Sequence, residues 1–194
     1  MEHLDVQMQQ WGSRLRDDLG IPAVPSNTLA TAIADEVRSL DPESKAAVVD
    51  SSPVPLRCRL DELAAFQRFM DETSSVRREP HTVRAQVVVQ NYICFVYLGE
   101  SCFLALRRGS PAGSTLRRCC EFLTDNPVRS FRNAVAHGNW RYNRDFSGLV
   151  FWARKGSGRD EPLVESEVSQ LELDFWQSLA RCTAYASFTV LAAV

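Results

Sequence analysis

Zinc-ligand spacing, a glycine-rich phosphate loop and a secretory leader are all missing from this sequence, and each absence narrows what the chain can do. Of its three histidines, His3 and His81 are remote from one another and have no ligand-spaced neighbours. The six cysteines, at 58, 94, 102, 119, 120 and 182, contain no Cys-x2-Cys pair and no histidine at zinc spacing. No metal and no other cofactor is therefore expected, and the adjacent Cys119-Cys120 is not read as a redox pair. A Ser or Cys hydrolase would need a nucleophile elbow or supporting spacing, and neither is present. There is no Rossmann fingerprint and no internal repeat. The start, Met1-Glu2-His3-Leu4-Asp5, lacks the basic and apolar regions of a signal peptide. The most apolar stretch, 83–106, is broken by Gln86, Gln90, Asn91, Glu100 and Ser101, so it reads as a buried helix and not as a membrane span. A soluble, cytoplasmic chain with reduced thiols and no membrane partner is the expectation.

What the chain does have is ordinary globular material with an uneven charge. Hydrophobic residues make up 45% and charged residues 24%, enough for a core of its own. The formal net charge of −2 conceals a basic segment. Residues 107–155 hold nine arginines and one lysine against Glu121, Asp125 and Asp145, a net of +7 that leaves −9 for the remainder. Such a segment is the footprint of a polyanion-binding surface, and the guanidinium fork suits phosphate. The same arginines could instead be paired with acids of the N-terminal half. The chain has 20 Arg and only two Lys, so part of this richness is compositional.

Periodicity divides the chain into an N-terminal helical appendage, residues 1–55, and a helical domain, 56–194. In the appendage, a helix ends at Gly20, a second follows Ser26 or Asn27 through Leu29, Ile33 and Val37, and Asp41-Pro42-Glu43 begins a further turn. Helices this short need something to dock on. Beyond Pro53 and Pro55, a helix spans Asp61 to Glu72, and a long central helix runs from His81 or Thr82 to about Arg108. Glu100 on that helix either reaches an arginine, Arg132 or Arg129, or is a surface carboxylate at its wetter end. Ser114 or Thr115 caps a short helix through Leu123. After a motif helix at Pro127 to His137, the segments 140–142 and 149–153 alternate as a small β-hairpin around 145–148, and Lys155-Gly156-Ser157-Gly158 forms a flexible tip. A last helix starts at about Ser166. The fold class expected is all-α, a helical bundle with a β-hairpin insertion.

The motif helix carries the chemistry. Asn126 is a good N-cap, Pro127 suits the first helical position, and Gly138 sits where a left-handed C-terminal cap belongs. At about 100° per residue, with Arg132 at the origin, Arg129 falls near 60°, Asn133 near 100° and His137 near 140°, whereas Val128, Phe131 and Val135 lie at about 260–320°. One face is fit for a core, and the other gathers two guanidinium groups, an amide and an imidazole. By spacing alone, an Arg and a His on a helix also occur as solvated residues, the His answering the helix dipole.

Taken whole, Arg132-Asn133-x3-His137-Gly138-Asn139-Trp140, preceded by Phe131, resembles the Arg-x(4–6)-His motif of the HEPN superfamily. The resemblance implies an all-α HEPN-like bundle over about residues 56–194 and a metal-independent endoribonuclease acting on RNA. In such an enzyme the ribose 2′-OH attacks the adjacent phosphorus, and acid, base and positive charge are required. Histidine suits proton transfer near neutral pH. Carried over to this chain, His137 transfers the proton, Arg132 stabilises the phosphorane and Asn133 orients His137 or the RNA. Arg129, Arg141 and Trp140 are candidate RNA contacts, Trp140 by stacking on a base or, alternatively, by anchoring the hairpin. A single chain supplies one such histidine, so a two-fold homodimer is implied. The biological setting implied is that of a bacterial toxin or phage-defence effector, with an antitoxin or effector protein as a further partner. Toxins of this superfamily that are modified by a nucleotidyltransferase carry tyrosine two residues after the histidine. Asn139 stands there instead, which argues against that control. A HEPN module that binds RNA, nucleotide or protein without catalysis is the alternative, and a purely structural motif is a third.

Overall fold

The computed structural model describes residues 2–74, 80–145, 147–154 and 161–193. The expected tip at Lys155-Gly156-Ser157-Gly158 and Phe146 of the expected turn lie outside them. The described residues form nine α-helices: α1 (Glu2–Leu19), α2 (Ser26–Ser39), α3 (Pro42–Asp50), α4 (Leu56–Ser74), α5 (Pro80–Tyr92), α6 (Glu100–Gly109), α7 (Thr115–Thr124), α8 (Val128–Ala136) and α9 (Gln170–Leu191). A three-stranded antiparallel sheet, β1 (Trp140–Tyr142), β2 (Gly148–Arg154) and β3 (Leu163–Ser169), is inserted between α8 and α9. The described residues are thus mostly helical, with a small antiparallel sheet at the place expected for the hairpin and one strand more than expected.

α9 is the axis of the bundle. Leu173, Trp176, Leu179, Ala180, Ala184 and Phe188 are all buried along it, and α2, α4 and α7 pack against its length. Residues of the N-terminal stretch enter the same apolar cluster: Leu15, Leu29, Ile33, Val37 and Val48 are buried together with Leu106, Leu116 and Phe188. Polar ties reinforce that packing. The Glu36 carboxylate on α2 accepts hydrogen bonds from the backbone N–H groups of Thr115 (3.0 Å) and Leu116 (2.7 Å). It satisfies two orphan donors at the start of α7 and places negative charge at a positive helix end. Arg118 on α7 donates to the carbonyls of Leu19 and Gly20 at the C-terminal end of α1.

Two expectations are corrected here. The long helix expected to run to Arg108 is two helices. A π-helical turn, Ile93–Tyr97, closes on the Leu98 N–H to Ile93 carbonyl bond (3.1 Å), and Gly99 then adopts φ +75°. That left-handed conformation suits glycine and ends the helix. The axis bends by 44° before α6 begins. Among the described residues, no single helix is long and apolar enough to cross a membrane. The second correction concerns β3, which occupies residues where the last helix was expected to start. In Leu163-Val164-Glu165-Ser166-Glu167-Val168-Ser169, Glu165 and Glu167 are exposed opposite Trp152 and Val150, whereas Val168 is buried opposite Leu149. This period of two extends the hairpin into a sheet. The helix waits for Ser169, whose hydroxyl caps the Glu172 N–H.

Phe131 joins sheet to bundle. Its ring is fully buried and meets Phe95, Phe151 and Trp176 edge-to-face at centroid distances of 5.2, 5.1 and 5.8 Å. Truncation of Phe131 to alanine should cost about 3–5 kcal/mol, the range for a buried aromatic that leaves a cavity; urea unfolding monitored by tryptophan fluorescence measures it.

The cysteines yield a second expectation. Burial pushes the thiols of Cys94 and Cys182 up to about 11 and that of Cys119 up to about 12, and raises Cys120 well above its ordinary value. Thiols so raised hold a negligible thiolate fraction at neutral pH, and the thiolate is the nucleophile. Brief iodoacetamide treatment of the native chain should therefore alkylate the exposed Cys58 and spare Cys94, Cys119, Cys120 and Cys182 until denaturant is added, Cys102 being shielded by its full burial. Mass spectrometry of tryptic peptides reads this, and early labelling of Cys119 or Cys120 would contradict the packing described.

Candidate active site

α8 is amphipathic in the manner the wheel predicts: Val128, Phe131 and Ala134 are buried, and Arg129, Ala136 and His137 are exposed. Its start differs from expectation. The N-cap is Pro127, with no side-chain cap, and Asn126 instead accepts a hydrogen bond from the Ser130 hydroxyl (2.6 Å). Asn126 lies one residue too early for its amide to reach the first free N–H groups. The C-terminal end follows the sequence reading. His137 is the C-cap and Gly138 takes φ +69°. The Asn139 N–H bonds the Ala134 carbonyl (2.8 Å), and the Gly138 N–H bonds the Val135 carbonyl (3.2 Å). This pair of reversed bonds is a Schellman motif. It turns the chain directly into β1, where the Asn139 carbonyl accepts the Trp152 N–H (3.0 Å).

Glu100 closes the polar face. Standing in the first turn of α6, its carboxylate bridges both arginines of α8: one oxygen meets Arg129 Nε at 3.2 Å, and the other is in close contact with Arg132 Nη2. The surface-carboxylate reading of Glu100 is thereby set aside. Arg132 Nη2 also donates to Asn133 Oδ1 (2.8 Å). Its Nε is buried without a hydrogen-bond partner. Burial pulls the Arg132 guanidinium below its ordinary value, Glu100 opposes that pull and the Arg129 charge adds to it. The group stays cationic at any ordinary pH. Among the described residues Arg132 Nη1 and the His137 imidazole carry no hydrogen bond or ion pair, and nothing lies within 4 Å of where a side chain on Gly138 would begin.

Thus Arg129 and Arg132 meet on one carboxylate and Asn133 is tied to Arg132, with His137 at the open end of the same helix. Trp140 and Arg141 part company. The Trp140 ring lies against Tyr142 (5.8 Å) at the edge of the core, the hairpin-anchoring alternative. Arg141, on the other face of the sheet, pairs with Glu165 (3.3 Å) and sits over Trp152 (5.7 Å). Much of the basic segment is also partnered. Arg107 meets Glu121 and Asp125, and Arg117 meets Glu121. These acids come from the basic segment itself, and Glu100 and Glu165 from close beside it, not from the N-terminal half. No group of three or more His, Cys, Asp or Glu among the described residues is placed to hold a metal ion.

No family model, curated protein or solved structure matches this chain. The site is therefore read from its own geometry.

Glu100 and Arg132 are both more than two-thirds buried, so removing one partner strands the other. Glu100→Gln should cost about 2–3 kcal/mol, somewhat below the figure for a fully buried pair. The double variant Glu100→Gln/Arg132→Gln should recover much of that loss, and a denaturant double-mutant cycle measures the coupling.

Proposed function

We propose that this chain is a metal-independent endoribonuclease of HEPN type whose active site is completed by a second copy of the chain. The observation that carries the reading is the placement of an unpartnered His137 at the exposed end of the same helix that holds Arg132 and Asn133, with Arg132 fixed by Glu100. The chemistry follows from those groups. His137 of one copy takes the proton of a ribose 2′-OH as its oxygen attacks the adjacent phosphorus. The bond from phosphorus to the 5′-oxygen of the next nucleotide breaks, and His137 of the other copy protonates that leaving oxygen. The products are a 2′,3′-cyclic phosphate and a 5′-OH. Arg132 presents Nη1 to the phosphorane while Glu100 and Asn133 hold its Nη2, and Arg129 supplies further charge. Glu100 is thus a positioning residue. A toxin or phage-defence role in the cytoplasm, with an antitoxin or effector partner, is the setting that the resemblance suggests.

A second reading draws on the same carboxylate. Because Glu100 neutralises one of the two arginine charges, the face is also suited to a non-catalytic module that binds RNA, nucleotide or protein.

Incubation of total RNA with wild type in EDTA should give fragments ending in 2′,3′-cyclic phosphate, and His137→Ala should abolish them. Arg132→Ala should lower the rate by about 10²-fold or more, as expected on losing a cation aimed at developing charge. No cleavage by a folded wild type across RNA types would overturn the nuclease in favour of the binding module.

A further inference from the structure

A second cationic group, close to Gly99, is buried without an acid. Arg59, in the first turns of α4, is 3% exposed. Its Nε donates to the Ser52 hydroxyl (2.8 Å), and its guanidinium stacks over the Tyr97 ring at 4.9 Å. Nη1 is buried and has no hydrogen-bond partner. Among the described residues no carboxylate forms an ion pair with it; Glu62, an exposed acid whose charge Tyr97 feels, does not reach it. An unpaired buried guanidinium is costly, so it calls for an anion.

The same place has donors for one. A side chain built on Gly99 would begin 3.6 Å from Arg59 Nη2, so the guanidinium lies against the residue that caps α6. That helix start has no side-chain cap, and its acidic residue, Glu100, turns away to Arg129 and Arg132. Ser101 secures the arrangement by donating to the Ser51 carbonyl (2.9 Å). A guanidinium lying against an uncapped helix N-terminus offers charge, dipole and N–H donors to one small oxyanion.

We propose that Arg59 and the first turn of α6 form a phosphoryl-binding site distinct from the Arg132–His137 motif. The phosphoryl group belongs to a free nucleotide or to the backbone of bound RNA, and both offer the same oxygens. The site does not depend on the nuclease reading.

Inorganic phosphate is the probe, titrated into the full chain at constant ionic strength with chloride as reference. The backbone amide resonances of Glu100, Ser101 and Cys102 should shift saturably, and calorimetry should show Arg59→Met binding at least about tenfold more weakly. Arg59→Met should be no less stable than wild type in chloride, because it removes an unpaired buried charge. His137→Ala should bind phosphate as wild type does. Competition by a nucleoside 5′-monophosphate alone would assign the site to free nucleotide; competition by an RNA oligonucleotide lacking terminal phosphate would assign it to backbone. Shifts confined to 129–137, loss of binding in His137→Ala with retention in Arg59→Met, or no saturable binding by folded wild type would each overturn the proposal. If Arg59→Met fails to fold, the wild-type amide shifts still decide it.

Discussion

The Glu100 carboxylate is the constraint on which the polar face of α8 depends. It pairs with Arg129 through one oxygen and with Arg132 through the other, and it does so from a different helix. The contact fixes the orientation of a guanidinium that is otherwise short of partners, since Arg132 Nε has none. It exists because α5 does not continue into α6. Gly99 in the left-handed region breaks the axis, and the break brings Glu100 into the first turn of a new helix. A straight helix through this stretch would carry Glu100 in its interior, without the turn that presents it. Backbone geometry at one glycine and charge pairing across two helices are therefore parts of the same feature.

The opposite face of α8 answers a different force. Phe131 sits among three aromatic rings contributed by the π-helical turn, β2 and α9. Apolar burial drives that packing, and its edge-to-face geometry limits how α8 can rotate. Rotation of the helix to expose Phe131 would bury the arginines, at large cost. The two faces thus specify one another. The Schellman turn at His137-Gly138-Asn139 completes the arrangement by leading the chain at once into the sheet that covers Phe131.

Features written in neighbouring residues were legible in the sequence. Ser114, one of the two caps the spacing offers, caps α7, Gly138 ends α8 in the left-handed region, and the amphipathic sides of α8 follow from periodicity alone. Less legible were signals of equal weight for two structures. Val164, Val168 and Leu171 fit a helical stripe as readily as the first two fit a strand, and only pairing with β2 selects β3. A lone glycine within an apolar run is tolerated by helices often enough that Gly99 did not announce a break. Tertiary partners were beyond local pattern. Local pattern leaves the bridging by Glu100 as one of two alternatives, carries no sign that the Arg141 side chain lies on the sheet face opposite Trp140, and does not mark Arg59, because a buried cation is defined by what surrounds it.

If the site belongs to a pair of chains, wild-type activity must be sensitive to what its partner carries. Dissociated wild type can be reassociated with a ninefold excess of His137→Ala, and RNA cleavage measured per wild-type chain. Random pairing in a two-fold dimer leaves about one wild-type chain in ten with a wild-type partner. A composite site predicts that activity per wild-type chain falls to about one tenth of its undiluted value. Activity per wild-type chain that stays constant across the mixing series would show that each chain acts alone, and would contradict the central claim.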